Sequence, residues 1–344
     1  MKVNCAPTDF ARCVTRFLTI HLPGERDLSP LTIKSYSIAL RMFIGYLDSF
    51  VEIKPDRVEL KDITAESVKA FLVSIGGSGD VSHNTYNQRL SALKTFVRYA
   101  ILEYPAFILE GQRILAIPSK RGSEHEIVYL EKDAMKALLA APNQSDPRGR
   151  RDLAIIALLY DTGARIQELI DLKVKNIRLM PPETVTLSGK GRKTRTVSIM
   201  AETARIVESY MKDKGFFEQH ACGELQLFCS SNRSQFTRPG ITKILKRHFA
   251  ASKESNPSIL FPGDIHPHAL RASKAIHLLE SGINLIVIRD FLGHTSVSTT
   301  QVYLRVNNQT KRDAITQAYP SLAVPVPSWR ENSDLMSLLK ELCS

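Results

Sequence analysis

Apolar positions recur at helical spacing through the first third of the chain. Residues 10–20 read as a helix with one buried face. Ser29-Pro30 opens a second, because proline is tolerated in the first turn, where its missing N–H is not needed. Its stripe is Tyr36, Leu40, Phe43, Ile44 and Leu47. Asp62-Ile63-Thr64 starts a third, carrying Val68, Phe71 and Leu72, and a fourth begins near Ser82 and carries Leu90, Leu93, Phe96, Val97 and Tyr99. Four amphipathic helices of this kind can close one core.

The pattern breaks at residues 118–124, which are polar and contain Pro118 and Gly122, as expected of an interdomain linker. Helical spacing resumes over 130–141 and 152–172. Residues 184–187 and 195–199 are β-type runs, joined by the turn Gly189-Lys190-Gly191-Arg192-Lys193. Helices are predicted again at 201–212, 240–252, 268–281, 285–292, 299–305 and 310–319. Beyond Pro325, the leucines Leu335, Leu338, Leu339 and Leu342 form a small apolar stripe. The expected fold is mainly α with a small β-sheet (α+β). Residues 1–117 form an N-terminal helical bundle, 118–128 a linker, 129–322 a mixed C-terminal domain and 323–344 a tail helix.

Composition narrows the function. A chain of 344 residues, 43% of them hydrophobic, has material for two cores. A net charge of +11 favours a polyanionic partner, of which nucleic acid is the commonest, although charge alone leaves open a basic protein with no such partner. Cys5, Cys13, Cys222, Cys229 and Cys343 are dispersed, form no C-x-x-C and lie at no zinc-ligand spacing from histidine, so they read as free thiols in a reducing compartment. The N-terminus lacks a basic-then-apolar signal pattern, and the apolar run 153–160 is far too short to span a bilayer and ends at Asp161. A cytoplasmic protein with no membrane partner is expected.

Four segments carry candidate chemistry. Thr162-Gly163-Ala164-Arg165-Ile166-Gln167-Glu168-Leu169 sets Arg165 and Glu168 three apart, as neighbours on a helix face. Lys190 lies in the turn between the strands. His268-Ala269-Leu270-Arg271 repeats the three-residue spacing at a helix start. Leu292-Gly293-His294-Thr295 is followed by Thr299-Thr300-Gln301-Val302-Tyr303. Each alone reads as structural: an ion pair, a solvated turn, a lone histidine or tyrosine.

Together, in this order, they resemble the tyrosine recombinases (phage and transposon integrases, Xer-type resolvases). The family patterns T-G-x-R-x-x-E-L, G-K-G-x-K-x-R-x-V, H-x-L-R, and L-G-H followed by T-T-x-x-Y all occur, over residues 130–319. Ala272 follows the second arginine, where many members have His. The resemblance implies a site-specific recombinase with an N-terminal DNA-gripping domain and a C-terminal catalytic domain that together clamp a duplex. It implies that Tyr303 attacks a phosphodiester to give a 3′-phosphotyrosyl link and a free 5′-hydroxyl, with no metal, ATP or other cofactor. Tyrosine suits this because its aryloxide is both nucleophile and leaving group. Arg165 and Arg271 would stabilise the charge on the non-bridging oxygens, the guanidinium fork matching phosphate geometry. Lys190 would give a proton to the departing 5′-oxygen, His268 would assist loss of the Tyr303 proton, and His294 would hydrogen-bond a non-bridging oxygen. Glu168 would hold Arg165 or His268 in place.

Residues 87–94 look like the family's DNA-gripping helix. Arg89 and Lys94 are therefore expected on phosphates, with Lys34, Arg192 and Lys193 as further DNA contacts; the alternative for all of these is a solvated face. The implied partner is double-stranded DNA, bound by a homo-oligomer (a tetramer), with sister recombinases as a further option, at the nucleoid. The tail helix is expected either on a neighbouring subunit or in its own core. A type IB topoisomerase shares this chemistry; the small N-terminal domain and the leucine-bearing tail favour the recombinase. An accessory DNA-binding factor would not need all six reacting residues, and a metal-dependent nuclease would need an acidic cluster that the sequence lacks.

Overall fold

A computed structural model describes residues 6–76, 82–120, 127–189, 193–217, 222–229, 234–294, 296–305 and 333–342. It divides into two compact units, Met1–His125 and Glu126–Ser344.

The first unit is helical. Helix α1 (Asp9–Arg16) is capped by Thr8, whose hydroxyl accepts from the Ala11 N–H at 3.1 Å, and it winds on as a π-helical stretch over Phe17–Glu25. Helix α2 (Pro30–Phe50) starts at the expected Ser29-Pro30, with Ser29 as its cap. Then come α3 (Ala65–Gly76) and α4 (His83–Glu103), the latter capped by Ser82. The predicted stripes meet in one core, where Phe96 makes edge contacts with Phe10 and Phe17 at centroid distances of 5.7 and 5.4 Å. Each such buried phenyl contributes about 1.5–3 kcal/mol. A short α5 (Ile108–Leu115), absent from the sequence reading, buries Ile114 in the same core.

The second unit begins with α6 (Lys132–Ala140) and α7 (Pro147–Asp161). The continuous helix expected over 152–172 is not found. Gly163 takes a left-handed backbone (φ 56°) and breaks it, and a separate α8 (Ile166–Ile170) follows. A three-stranded antiparallel sheet, β1 (Ile177–Arg178), β2 (Thr184–Ser188) and β3 (Thr194–Ser198), pairs Val185 with Val197. β2 and β3 match the two predicted runs; the two-residue β1 was too short to be legible. Val185, Leu187 and Val197 point into a core shared with α7, α9 (Ala201–Asp213) and α10 (Arg238–Ser255). Next come α11 (Pro267–Glu280), α12 (Leu285–Leu292) and α13 (Ser298–Gln301), which runs into a 3-10 turn, Val302–Arg305. The predicted helix 310–319 lies outside the described residues. In the tail, α14 (Ser333–Leu342) is helical, with Leu339 and Leu342 exposed. Among the described residues no helix is long and apolar enough to cross a membrane.

Candidate active site

The break at Gly163 creates the site. The positive φ disfavours any side chain there, and a Cβ would also lie 2.7 Å from Leu292 Cδ2 and push that side chain aside, so glycine is favoured. The turn makes Arg165 the cap of α8 rather than a residue on its face. The Glu168 carboxylate accepts from the Arg165 backbone N–H at 2.9 Å and from Arg165 Nη1 at 2.8 Å. The two residues do meet, through a helix cap and not through the side-by-side helical neighbours that their spacing suggested.

Arg271 lies on the first turns of α11 and is only 1% exposed. Its Nη1 donates to Gly163 O at 2.5 Å and its Nη2 to Leu292 O at 2.6 Å, so one guanidinium joins the turn after α7 to the end of α12. Its Nε has no acceptor among the described residues. Burial, then the charges of Arg165 and Arg195, push its pKa down to about 10, which leaves it cationic at neutral pH. Helix α11 is started by Pro267 and by His266, whose Nδ1 accepts from the Ala269 N–H at 3.2 Å.

At the end of α12, Gly293 is left-handed (φ 65°) and turns the chain so that His294 faces Thr300, with Nδ1 2.9 Å from the threonine hydroxyl. The His294 pKa is pushed down to about 4 by burial and by Arg271, Arg165, His268 and Arg195, so the ring is neutral at physiological pH. Tyr303, 5% exposed, packs among Ala272, Ile276, Ile288 and Leu292, its ring within 20° of parallel to that of His294 at 6.4 Å between centroids. Burial raises its pKa, and Arg271 and Arg165 only partly reverse that, so the phenol is protonated. His268 keeps an exposed edge, but surrounding protein and then Arg271, His266 and Arg165 lower its pKa, which favours the neutral ring.

The structure therefore gathers Arg165, Glu168, His268, Arg271, His294 and Tyr303. Lys190 and Arg192 lie outside the described residues. Lys193 is exposed, its carbonyl accepting from the Gly189 N–H at 2.8 Å. Arg195, the arginine of the pattern G-K-G-x-K-x-R-x-V, joins this group although its place in the motif suggested no role. Its Nη1 and Nη2 donate to the two Glu168 carboxylate oxygens at 2.9 and 2.8 Å, and its Nε to Phe291 O at 3.1 Å. Burial pushes the Glu168 pKa up, but these arginine hydrogen bonds outweigh it and hold the carboxylate ionised. The arginine in G-K-G-x-K-x-R-x-V was the available signal.

In the first unit, Lys34 is exposed. Arg89 is half-buried, with an Nε that has no acceptor among the described residues. Lys94 is half-buried. Its Nζ donates to Ile117 O at 2.5 Å, and burial, then the Arg98 charge, lowers its pKa. Among the described residues no group of three His, Cys, Asp or Glu side chains is placed to hold a metal ion.

The phage integrase family model matches residues 128–310, more than half of the chain, and the phage integrase N-terminal SAM-like domain matches residues 14–104. The chain belongs to the phage integrase family, the tyrosine recombinases. This recombinase is 31% identical over 326 residues to "Putative integrase/recombinase y4rC" of Sinorhizobium fredii, covering 95% of this chain and 96% of that one. It is 28% identical to tyrosine recombinase XerC of Pelobacter propionicus, covering 91% and 97%. The solved XerH site-specific recombinase, in a post-cleavage complex with its difH substrate, superposes with a TM-score of 0.65 at 22% identity, covering 85% of this chain and 81% of that one; the likeness shows the shared fold. The tyrosine recombinase is thus an enzyme of site-specific recombination, working by the family's 3′-phosphotyrosyl chemistry.

Proposed function

We propose that Tyr303 is the nucleophile of this recombinase and that Arg165, His268, Arg271 and His294 form the oxyanion and proton-transfer site around it. The observation that supports this most is electrostatic. Arg271, His268 and His294 each have their pKa lowered, first by burial and then by the positive charges of Arg165 and of one another, around a buried tyrosine. Such a surplus of positive charge is completed by an anion, and a DNA phosphodiester supplies it. Tyr303 Oη attacks phosphorus, the bond from phosphorus to O5′ breaks, His268 takes the phenolic proton and Lys190 protonates O5′. The two arginines bind the non-bridging oxygens and His294 donates through its other nitrogen. The reading needs neither metal nor ATP, because the bond energy stays in the phosphotyrosine.

The partner is double-stranded DNA, engaged at the nucleoid. Arg89, Lys34, Arg192 and Lys193 contact phosphates; Lys94, held by Ile117 O, supports that helix from within instead. Strand exchange joins two duplexes and needs several subunits, as in a tetramer. The exposed Leu339 and Leu342 of α14 support packing of the tail on a neighbouring subunit. The test is Tyr303→Phe on duplex DNA, with the protein–DNA adduct followed on denaturing gels. The adduct should vanish while duplex binding persists. An undiminished adduct rules Tyr303 out.

A further inference from the structure

Arg165 faces a conflict that Arg195 resolves. The Glu168 carboxylate is buried, its side chain 3% exposed, and it holds Arg165 twice, through the backbone N–H and through Nη1. A lone buried carboxylate beside an arginine attracts the whole guanidinium fork, because the bidentate pair is the strongest arrangement open to the two groups. Arg165 would then turn both Nη atoms inward and lose its grip on a phosphate. In the fold, however, Arg195 already occupies both carboxylate oxygens, at 2.9 and 2.8 Å. From its side chain Arg165 gives that carboxylate Nη1 alone; its Nη2 lies 3.4 Å from Gly293 O, and its side chain stays 43% exposed.

Arg195 also braces the turn that carries His294. Its Nε donates to Phe291 O, and its Cδ would lie 3.0 Å from a Cβ on Gly293, so the arginine stem rests against that glycine. Each of its three nitrogens is engaged by a group that belongs to the site's frame, Nε by Phe291 O and both Nη atoms by Glu168, so it acts on the site through those acceptors.

We propose that Arg195 is a positioning residue. It neutralises Glu168 and holds the Gly293-His294 turn, so that Arg165 and His294 stand ready for a phosphodiester that Arg195 itself does not touch. This rests on the proposed roles of Arg165 and Tyr303. The action runs through the Glu168 charge, so removing that charge should remove most of the need for Arg195. Side chains that orient metal ligands from behind typically cost about 10–100-fold in activity when changed, and an effect of that size is expected for a guanidinium oriented in the same way.

The experiment uses the full chain and a duplex recovered by sequencing the DNA covalently attached to the wild-type protein. Single-turnover cleavage and duplex affinity are measured for Arg195→Lys, Glu168→Gln and the double variant. A lysine keeps the charge but cannot reach two carboxylate oxygens and Phe291 O together. Arg195→Lys should slow cleavage about 10–100-fold with duplex affinity within about threefold of wild type. The double variant should cleave faster than Arg195→Lys, at about the rate of Glu168→Gln alone. If Arg195→Lys does not fold, Arg195→Met in the Glu168→Gln background replaces it, because that pair leaves no buried charge, and it too should match Glu168→Gln alone. Wild-type cleavage by Arg195→Lys, or losses that multiply in the double variant, overturns the proposal. Tyr303→Phe separates the two readings. If that variant still forms adduct, the site assignment falls and this inference with it. If it is inactive while Arg195→Lys cleaves normally, only the inference falls.

Discussion

Arg165 and Arg271 share a proposed role, yet their surroundings predict different costs of removal. Arg271→Ala deletes the donor to two buried carbonyls, Gly163 O and Leu292 O. Each acceptor left unpaired costs about 1–3 kcal/mol, or about 2–6 kcal/mol for both. Part of this is offset, because a buried guanidinium whose Nε has no acceptor among the described residues no longer has to be desolvated. The net loss is then about 2–4 kcal/mol, and at about 2–4 °C per kcal/mol for a unit of this size the melting temperature falls by about 4–16 °C. Arg165→Ala removes a side chain that is 43% exposed, while Glu168 keeps its paired bonds from Arg195. That loss should stay below about 1 kcal/mol. Cleavage should nevertheless fall about 10²–10³-fold in both variants, since each removes a donor to developing negative charge. Thermal melts by circular dichroism, paired with single-turnover cleavage of the recovered duplex, separate the two effects. Wild-type melting of Arg271→Ala refutes the carbonyl cross-link as a stabilising device. Near-wild-type cleavage by Arg165→Ala refutes the phosphate assignment.

Other outcomes are expected. Each phosphate contact contributes about 0.9 to the slope of log affinity against log salt, so Arg89→Ala should flatten that slope by about one unit, whereas Lys94→Ala, with Nζ turned onto Ile117 O, should leave it unchanged and lower the melting temperature instead; the reverse pattern would restore Lys94 as a DNA contact. His294 and His268 have folded pKa values below their unfolded ones, so the stability they contribute is full above the ordinary histidine value near 6.5 and is lost as pH falls below it, for His294 towards about 4. Urea melts of wild type should therefore weaken across that window, and less so in His294→Gln; an equal pH slope in the two proteins counts against a buried neutral His294. Deleting residues 328–344 should leave single-site DNA binding intact and abolish higher-order complexes in light scattering, and normal assembly without the tail refutes its role between subunits.

Much of this protein was written in local pattern. The stripes of α2 and α4, the caps Ser29 and Ser82, the two strands and the four motifs follow from spacing and side-chain chemistry, because helix and strand periods bury one face whatever lies opposite. The order Arg165, Lys190, His268, Arg271, His294, Tyr303 carried the family likeness for the same reason: motifs are contiguous. What local pattern could not carry was direction. Lys94 shares a helix with Arg89 and has the same charge, yet a carbonyl 23 residues away captures it. Arg165 and Glu168 looked like helical neighbours, but one left-handed glycine, packed against Leu292 from 129 residues downstream, turned them into a helix cap. Arg195 sat unremarked in a strand because its partners, Glu168 and Phe291, are 27 and 96 residues away. Long-range hydrogen bonds of buried charges are set by which segments meet in the folded core, and only the tertiary structure determines that.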